Sequence, residues 1–560
     1  REPQKYCKYL MLNIIKRPSQ RSYDYIIIGS GSAGSVLAAR LSEDNSKSVL
    51  LVEAGPSDRD TFIQMPAGLG IPLMKDRYNW KFFSEEANSS ASEKEIYTPR
   101  GKVLGGSSSI NGMNWVRGNS ADYDDWAQSG LTNWSYAHCL PYFKRSENYA
   151  QGDPAYRGIG GPTNIVKAEA TNPLFKLFLD AACDYGLALN PDHNGETQIG
   201  AHTTQRNVSK GTRHSASQAY LYDQPAKAHL DVLLETRCTS IEFSGQDAAR
   251  VHLIRRGKVF TVEVGSELIL SAGAIQTPQL LMLSGIGDGD ALKACDINIK
   301  QHMPGVGSNL QDHPAWCFEY GATDPRDSLA SKLGYLGRLK IGAEWLFRKQ
   351  GLGISNHFEV GAFLSLLGTG TGADAQMECI AMRGDFAPEG IKIEPGYQCF
   401  TSLQRPTSRG KLCITSADPA VGPKFQFNYL TTDHDKKLAI AAIKATQQIF
   451  QQSAWQGRLS SELSGVDNLK SDSDIIKWAF ANVESNYHPC GTCSMGVDDK
   501  AVTDAQGRAH GFNNLRIVDA SIIPSIPAGN LNAITIMIAE KIADSILGVS
   551  AIEPEYPSIN

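Results

Sequence analysis

No apolar run in this 560-residue chain approaches the ~18 residues that a bilayer-spanning helix needs, so no transmembrane segment is expected. Nor is there an excess of positive charge. Lys and Arg number 54 against 59 Asp and Glu, a formal net charge of -5, so nucleic acid and anionic membranes are not indicated as partners. Residues 1–21 are basic, but Cys7-Lys8-Tyr9-Leu10-Met11-Leu12 is too short for a secretory apolar region and no small-residue cleavage site follows. They read as an extension, a transit-peptide remnant or an artefact. The eleven cysteines are odd in number and scattered, which excludes a disulfide scaffold. Reduced thiols in a cytosolic or organelle-interior compartment are expected, with peripheral membrane association left open. The one C-x-x-C, Cys490-Gly-Thr-Cys493, has no second pair or spaced histidines for a metal and no thioredoxin-like context, so packing thiols are expected. Repeats and long low-complexity tracts are missing too; Gly368-Thr-Gly-Thr-Gly372 is the main expected flexible loop. What remains is a soluble globular composition, 41% hydrophobic and 20% charged, long enough for about two or three domains.

Within that ordinary composition, one stretch carries chemistry. Tyr25-Ile26-Ile27-Ile28 is an apolar run ending in Gly29-Ser30-Gly31-Ser32-Ala33-Gly34. Val36, Leu37, Ala38 and Leu41 follow at helical spacing, then Val49-Leu50-Leu51-Val52 and the acid Glu53. The order predicts strand, Gly-x-Gly-x-x-Gly turn, helix, strand, acid. Gly29 permits the turn, Gly31 lets backbone approach a pyrophosphate, Gly34 lets helix and strand pack, and Glu53 accepts ribose hydroxyls. This is a dinucleotide site. No second one exists, because Gly305/Gly307 and Gly351/Gly353 lack the strand before and the helix behind. In an enzyme with a single dinucleotide, electrons arrive from a substrate and leave by another small molecule. That points to FAD.

Two further segments support it. Residues 100–118 contain Gly105-Gly106-Ser107-Ser108-Ser109, a loop able to press its backbone on a flat ligand, and Asn111 and Asn114, whose amides suit a flavin's edge. Leu268-Ile269-Leu270-Ser271-Ala272-Gly273 predicts a buried strand and turn, followed by a helix over 279–284 that Gly285-Ile286-Gly287 stops. With Tyr487-His488-Pro489-Cys490-Gly491-Thr492-Cys493-Ser494-Met495-Gly496, and with Val518-Asp519-Ala520-Ser521-Ile522-Ile523-Pro524 continuing to Gly529-Asn530-Leu531-Asn532-Ala533, the chain resembles the glucose–methanol–choline (GMC) family of flavin oxidoreductases. The resemblance covers roughly residues 22–550.

It implies an α/β protein with an α+β substrate domain. A Rossmann-like FAD-binding domain is assembled from discontinuous segments, 22–170, 230–320 and 485–550. An inserted antiparallel-sheet substrate domain comes from 171–229 and 321–484, and 551–560 form a tail. It also implies FAD contacts at Gly29, Gly31, Ser32, Ala33, Gly34, Glu53, Ala54, Arg100, Gly105, Gly106, Ser107, Asn111, Gly112, Met113, Asn114, Ala272, Asp519, Ala520, Asn530 and Asn532. Members with covalent flavin carry a His just before the position of Asn111; Ile110 stands here, so noncovalent FAD is expected.

Oxidising an alcohol at flavin N5 requires removal of the hydroxyl proton and stabilisation of the alkoxide. His488 suits the first task because imidazole titrates near neutral pH, and Pro489 biases it into a turn. Asn530 suits the second. A helix expected from near Asn532, with Asn532 as its cap, aims its positive end at the reduced flavin. His302, His313, His357 and His510 are expected to be structural, His357 being the next candidate base.

Residues 354–363 and 529–533 resemble choline dehydrogenases and their alcohol-dehydrogenase relatives. Choline-acting members place a Glu after the Asp-His-Pro motif, but here Asp312-His313-Pro314 is followed by Ala315. Neutral alcohols are therefore favoured, with a cage from Trp316, Phe318, Tyr487 and Glu319 as the competing view. Family photodecarboxylases carry a Cys before Arg-Pro and lack the motif histidine; Gln404 precedes Arg405-Pro406 here, and Cys399 lies too far away. The expected partners are a primary alcohol and an external electron acceptor: oxygen, a quinone or a carrier. A photodecarboxylase and a flavin-binding protein without catalysis remain the alternatives.

Overall fold

The computed structural model describes residues 12–87, 93–225, 227–368, 372–387 and 390–557. Part of the expected loop at 368–372 lies outside them. The strands Ser22–Ile28, Val49–Val52 and Leu230–Leu233 and the end of Lys258–Leu270 run parallel, with Leu515–Ile517 alongside the last. Their apolar runs are continuous rather than alternating because the centre of this sheet is covered on both faces. Three distant stretches of sequence thus build one sheet, an α/β layer of discontinuous origin. Ile14–Ile15 adds an edge strand on Leu230–Leu233, so the sheet reaches into residues expected to be an extension. On the other side, Lys258–Leu270 is long enough to pair twice along one edge, antiparallel with Asp247–Arg255 and parallel with Leu515–Ile517.

Helices Ser32–Leu41 and Leu531–Leu547 pack against each other over this sheet. The second is apolar almost all round and almost wholly buried, as a central helix must be. Its start corrects one expectation. Asn530, not Asn532, holds the cap position, yet its side chain makes no capping bond because it turns toward His488. A second correction concerns the helix expected over 279–284, which spans Gly273–Leu283 with Pro278 inside it. Proline cannot donate to the carbonyl four residues back. The Thr492 hydroxyl donates to that carbonyl, Ala274 O, at 2.6 Å and fills the gap.

A second, antiparallel sheet has the order Leu459–Glu462, Pro314–Ala322, Tyr397–Leu403, Ala375–Ile380, Phe358–Leu364, Gly200–Thr203. Its strand Pro314–Ala322 starts inside the segment expected for the first domain. Helix Asp433–Phe450 covers one face, where the Thr401 and Thr446 hydroxyls meet at 2.9 Å and Phe450 stacks on Tyr320. The other face looks into a cavity shared with the first sheet.

The His193 and His202 rings lie tilted against each other with centroids 4.2 Å apart, buried beside Phe363. Burial pushes His193 down to about 4 and His202 well below its usual value. Both stay neutral in the folded protein, while the unfolded chain takes up their protons below pH ~6.5. Their contribution is complete above that pH and is lost as pH falls toward 4, at up to about 1.4 kcal/mol per unit per histidine. The unfolding midpoint is expected to drop from pH 7 to pH 5, and to drop less in His193→Gln/His202→Gln. An equal drop in that variant would assign the acid sensitivity elsewhere.

Candidate active site

Between the two sheets lies a cavity of about 980 Å³. At one end stands the glycine turn. Gly29 has φ +98, and a Cβ there would lie 2.4 Å from Ser271 O. A Cβ on Gly34 would lie 1.9 Å from Gly29 O, whereas one on Gly31 would meet no protein atom within 4 Å. Gly34 therefore closes the helix onto the turn, while Gly31 presents bare backbone to the cavity. Gly106 faces Gly31 so closely that a Cβ would lie 2.7 Å from its Cα.

Glu53 closes this end. Its carboxylate accepts the Ser30 amide at 3.1 Å, the Ser30 hydroxyl at 2.6 Å and the Gly55 amide at 2.8 Å. Burial pushes its pKa up against those donors. A carboxylate offers about four acceptor sites, so capacity for ribose hydroxyls remains. Asp519 is used differently: it accepts from Gly273 N at 2.8 Å, Thr277 Oγ1 at 2.6 Å and Ser521 N at 2.7 Å, locking one helix start to the next turn.

The cavity wall beside the glycine turn also fits a bound FAD. The Ser32 hydroxyl donates to Asn532 Oδ1 at 2.7 Å and leaves the amide Nδ2 buried without a partner at the cavity wall. An orphaned buried donor beside a helix N-terminus suits a ring carbonyl or an anion. Asn111 is less free than expected. Its Oδ1 accepts from Arg213, which also bonds the carbonyls of Asn111 and Ile63 and holds the loop from behind. Nothing in the spacing pointed to Arg213. Of the residues expected at FAD, Gly34 and Gly105 support the wall from behind; the others line it.

His488 and Asn530 come together on the same wall, 3.3 Å apart between Nε2 and Nδ2. Asp312 Oδ1 accepts the His488 backbone amide at 2.7 Å. The His313 and His488 Nδ1 atoms are 3.0 Å apart. His313, expected to be structural, is thus the partner of the candidate base. His357 is not: it packs on Ala67 O at 3.2 Å, off the cavity wall. His302 and His510 lie at the surface.

The strongest omission is Glu378. Buried on Ala375–Ile380, it accepts hydrogen bonds from the amides of Asn114, Asn530 at 3.4 Å and Asn486 at 3.5 Å. Gln376 Nε2 donates to Asn530 Oδ1 at 3.2 Å. These bonds orient the Asn530 amide with its NH₂ toward His488 Nε2. That nitrogen must then accept, so Nδ1 carries the proton and donates to His313. Burial, with His313 and Arg100 nearby, holds the His488 imidazole well below its ordinary range. The imidazole is neutral, and its unprotonated Nε2 accepts from Asn530 at the cavity wall.

Strand alternation decides the other wall. Ala315, Cys317 and Glu319 face the cavity with Glu378, Gln398 and Phe400. Trp316 and Phe318 point the opposite way into the core, the Trp316 indole donating to Ala479 O at 2.9 Å. The expected cage is corrected accordingly: Tyr487 and Glu319 reach the cavity, Trp316 and Phe318 do not. Cys490 and Cys493 are free and buried, and burial drives both thiols well up. Among the described residues no His, Cys, Asp and Glu cluster could hold a metal, and no helix is long and apolar enough to cross a membrane.

A nucleotide cradle facing a histidine–amide pair across one cavity defines a flavin-type oxidoreductase. The family model described as GMC oxidoreductase matches residues 23–315 and again 406–539. The chain belongs to the GMC oxidoreductase family, whose members are FAD-dependent and act on CH–OH donors. It is 41% identical over 546 residues to an oxygen-dependent choline dehydrogenase of Photobacterium profundum, covering 95% of this chain and 94% of that protein. A second oxygen-dependent choline dehydrogenase, of Chromohalobacter salexigens, is 42% identical over 533 residues, 94% of this chain and 95% of that one. Among solved structures, pyridoxine 4-oxidase from Mesorbium loti superimposes with a TM-score of 0.83 at 29% identity, covering 94% of this chain and 100% of that one.

Proposed function

We propose that this protein oxidises a primary alcohol to an aldehyde, with His488 Nε2 taking the hydroxyl proton and Asn530 steadying the alkoxide oxygen. The observation that carries this is the His488–Asn530 pair, held at 3.3 Å in the cavity that the glycine cradle also lines. When bound, FAD supplies the hydride acceptor at N5 and passes the electrons to an external acceptor. Asp312 and His313 set the imidazole, and Glu378 and Gln376 set the amide. Anaerobic mixing with aliphatic, aromatic and cationic alcohols, followed by reoxidation with oxygen, a quinone or an artificial carrier, tests the reaction and separates the acceptors. A flavin that no alcohol bleaches would favour a binding protein, and light-dependent loss of CO₂ from a carboxylate would favour photodecarboxylation.

Glu378 supports a second reading, a cationic alcohol of the choline type. Ala315 removes the carboxylate expected at that position, but Glu378 places another in the same cavity with amide donors and no described cationic side chain against it. Phe358, Phe400, Trp478 and Tyr487 add aromatic surface. Under this reading choline exceeds 3,3-dimethylbutan-1-ol, its uncharged isostere, in kcat/KM, and Glu378→Gln lowers that ratio about tenfold, in line with the loss of one charge-assisted contact. A ratio at or below one in the unaltered protein would leave neutral alcohols as the substrates, and an equal ratio in both proteins would remove Glu378 from the recognition.

FAD is proposed to be noncovalent, since Ile110 occupies the attachment position. Acid precipitation should leave the yellow colour in the supernatant, and flavin in the pellet would refute this. Glu53→Ala should weaken FAD binding by roughly 1–3 kcal/mol, the loss of a buried acceptor for ribose hydroxyls.

A further inference from the structure

Helix Tyr335–Arg348 carries its large apolar residues on the outside. Tyr335, Leu336, Leu339, Leu346 and Phe347 are 79, 78, 55, 56 and 82% exposed. At 3.6 residues per turn they fall, with Ala343, on one arc of roughly 120°. Trp345 lies on the opposite side as the buried anchor, its indole donating to Gly211 O at 2.7 Å. A contiguous exposed apolar face of this kind marks an interaction site rather than ordinary surface.

The charges beside it indicate the partner. Lys332, Arg338, Lys340, Arg348 and Lys349 stand against one acid, Glu344, between residues 332 and 349. The chain as a whole is at -5, so the global balance conceals a local basic patch. A basic amphipathic helix with Leu, Phe and Tyr on its apolar arc is suited to the headgroup–acyl boundary of an anionic bilayer. A second copy docked face to face would set these bases against their own equivalents. The helix also leads directly to the cavity. Gly351–Ile354 follows and packs on Pro66–Gly68, and Asn356 donates to Gly112 O and Asn114 Oδ1, both at 2.8 Å. Leu69 and Phe358, next to these segments, line the cavity.

We propose that Tyr335–Arg348 docks this protein on an anionic phospholipid surface, its apolar arc inserted at the acyl boundary and its bases on the headgroups. Flotation of the FAD-loaded full chain with phosphatidylglycerol–phosphatidylcholine vesicles, compared with phosphatidylcholine alone, tests it. Partition into the anionic vesicles should be at least about tenfold greater and should fall with salt. Leu336→Glu/Phe347→Glu and, separately, Arg338→Glu/Lys340→Glu should each lower it about tenfold or more, with flavin content and alcohol oxidation by a soluble dye unchanged. Absence of vesicle binding by the unaltered protein, or equal binding by both variants, overturns the proposal. So does a dimer in sedimentation that Leu336→Glu/Phe347→Glu dissociates, because the face would then belong to a second copy.

Discussion

His488→Ala is expected to slow flavin reduction by an alcohol about 10²–10⁴-fold, the usual contribution of a positioned base, while FAD stays bound. The size follows from geometry. Nε2 is the unprotonated nitrogen that faces Asn530, because the ring proton sits on Nδ1 and is donated in a hydrogen bond to His313. Alanine leaves the alkoxide partner in place but gives the hydroxyl proton nowhere to go at that wall. FAD retention is expected because the glycine cradle and Asn532 do not touch the imidazole. The pH profile is part of the same expectation. Burial, His313 and Arg100 hold His488 well below the ordinary imidazole range. Its base form therefore predominates through neutral pH, and kcat/KM should be flat above pH ~6.5 and decline only in more acidic solution. Anaerobic stopped-flow reduction across pH measures both. Rapid reduction in His488→Ala would move the proton acceptor to another group, and His313 stands 3.0 Å from His488.

The second large effect separates two glycines three positions apart. Gly34→Ala places a methyl where Gly29 O stands 1.9 Å away, a backbone contact that no rotamer relieves. A glycine-to-alanine change inside a helix ordinarily stabilises by about 0.4–1 kcal/mol. Here overpacking costs several kcal/mol instead, and loss of both FAD and thermal stability is expected. In Gly31→Ala the methyl meets no protein atom within 4 Å, so the FAD-free protein should unfold at an unchanged temperature. Its affinity for FAD should nevertheless fall by roughly tenfold or more, because the methyl intrudes where a pyrophosphate must approach. Thermal unfolding with and without FAD distinguishes the two. Parallel losses in both variants would remove the separation of packing from ligand approach.

Legibility in the sequence followed the range of the interaction. The strand–turn–helix of residues 22–41 was readable because its periodicity and glycine spacing are local. So was the C-terminal helix, though not its cap, because Asn530 is drawn away by groups far along the chain. Helix Gly273–Leu283 was read too short for a similar reason: Pro278 looks like a breaker until Thr492 supplies the missing donor. The aromatic cage was misassigned because alternation along Pro314–Ala322 distinguishes two faces without saying which meets the cavity.

By itself the sequence pointed to a dinucleotide cradle near the N-terminus and to His488 and Asn530 as candidates for the chemistry, and it placed Ala315 and Ile110 where the choline-acting and covalent-flavin patterns carry other residues. These depend on residue type and short spacing, which survive without coordinates. Only the tertiary structure decided that His313 partners His488 across 175 residues, that Glu378 orients Asn530 across 152, and that the apolar arc of Tyr335–Arg348 faces outward. Each of these depends on which elements pack together, and packing joins surfaces that are remote in the chain and that no local pattern pairs.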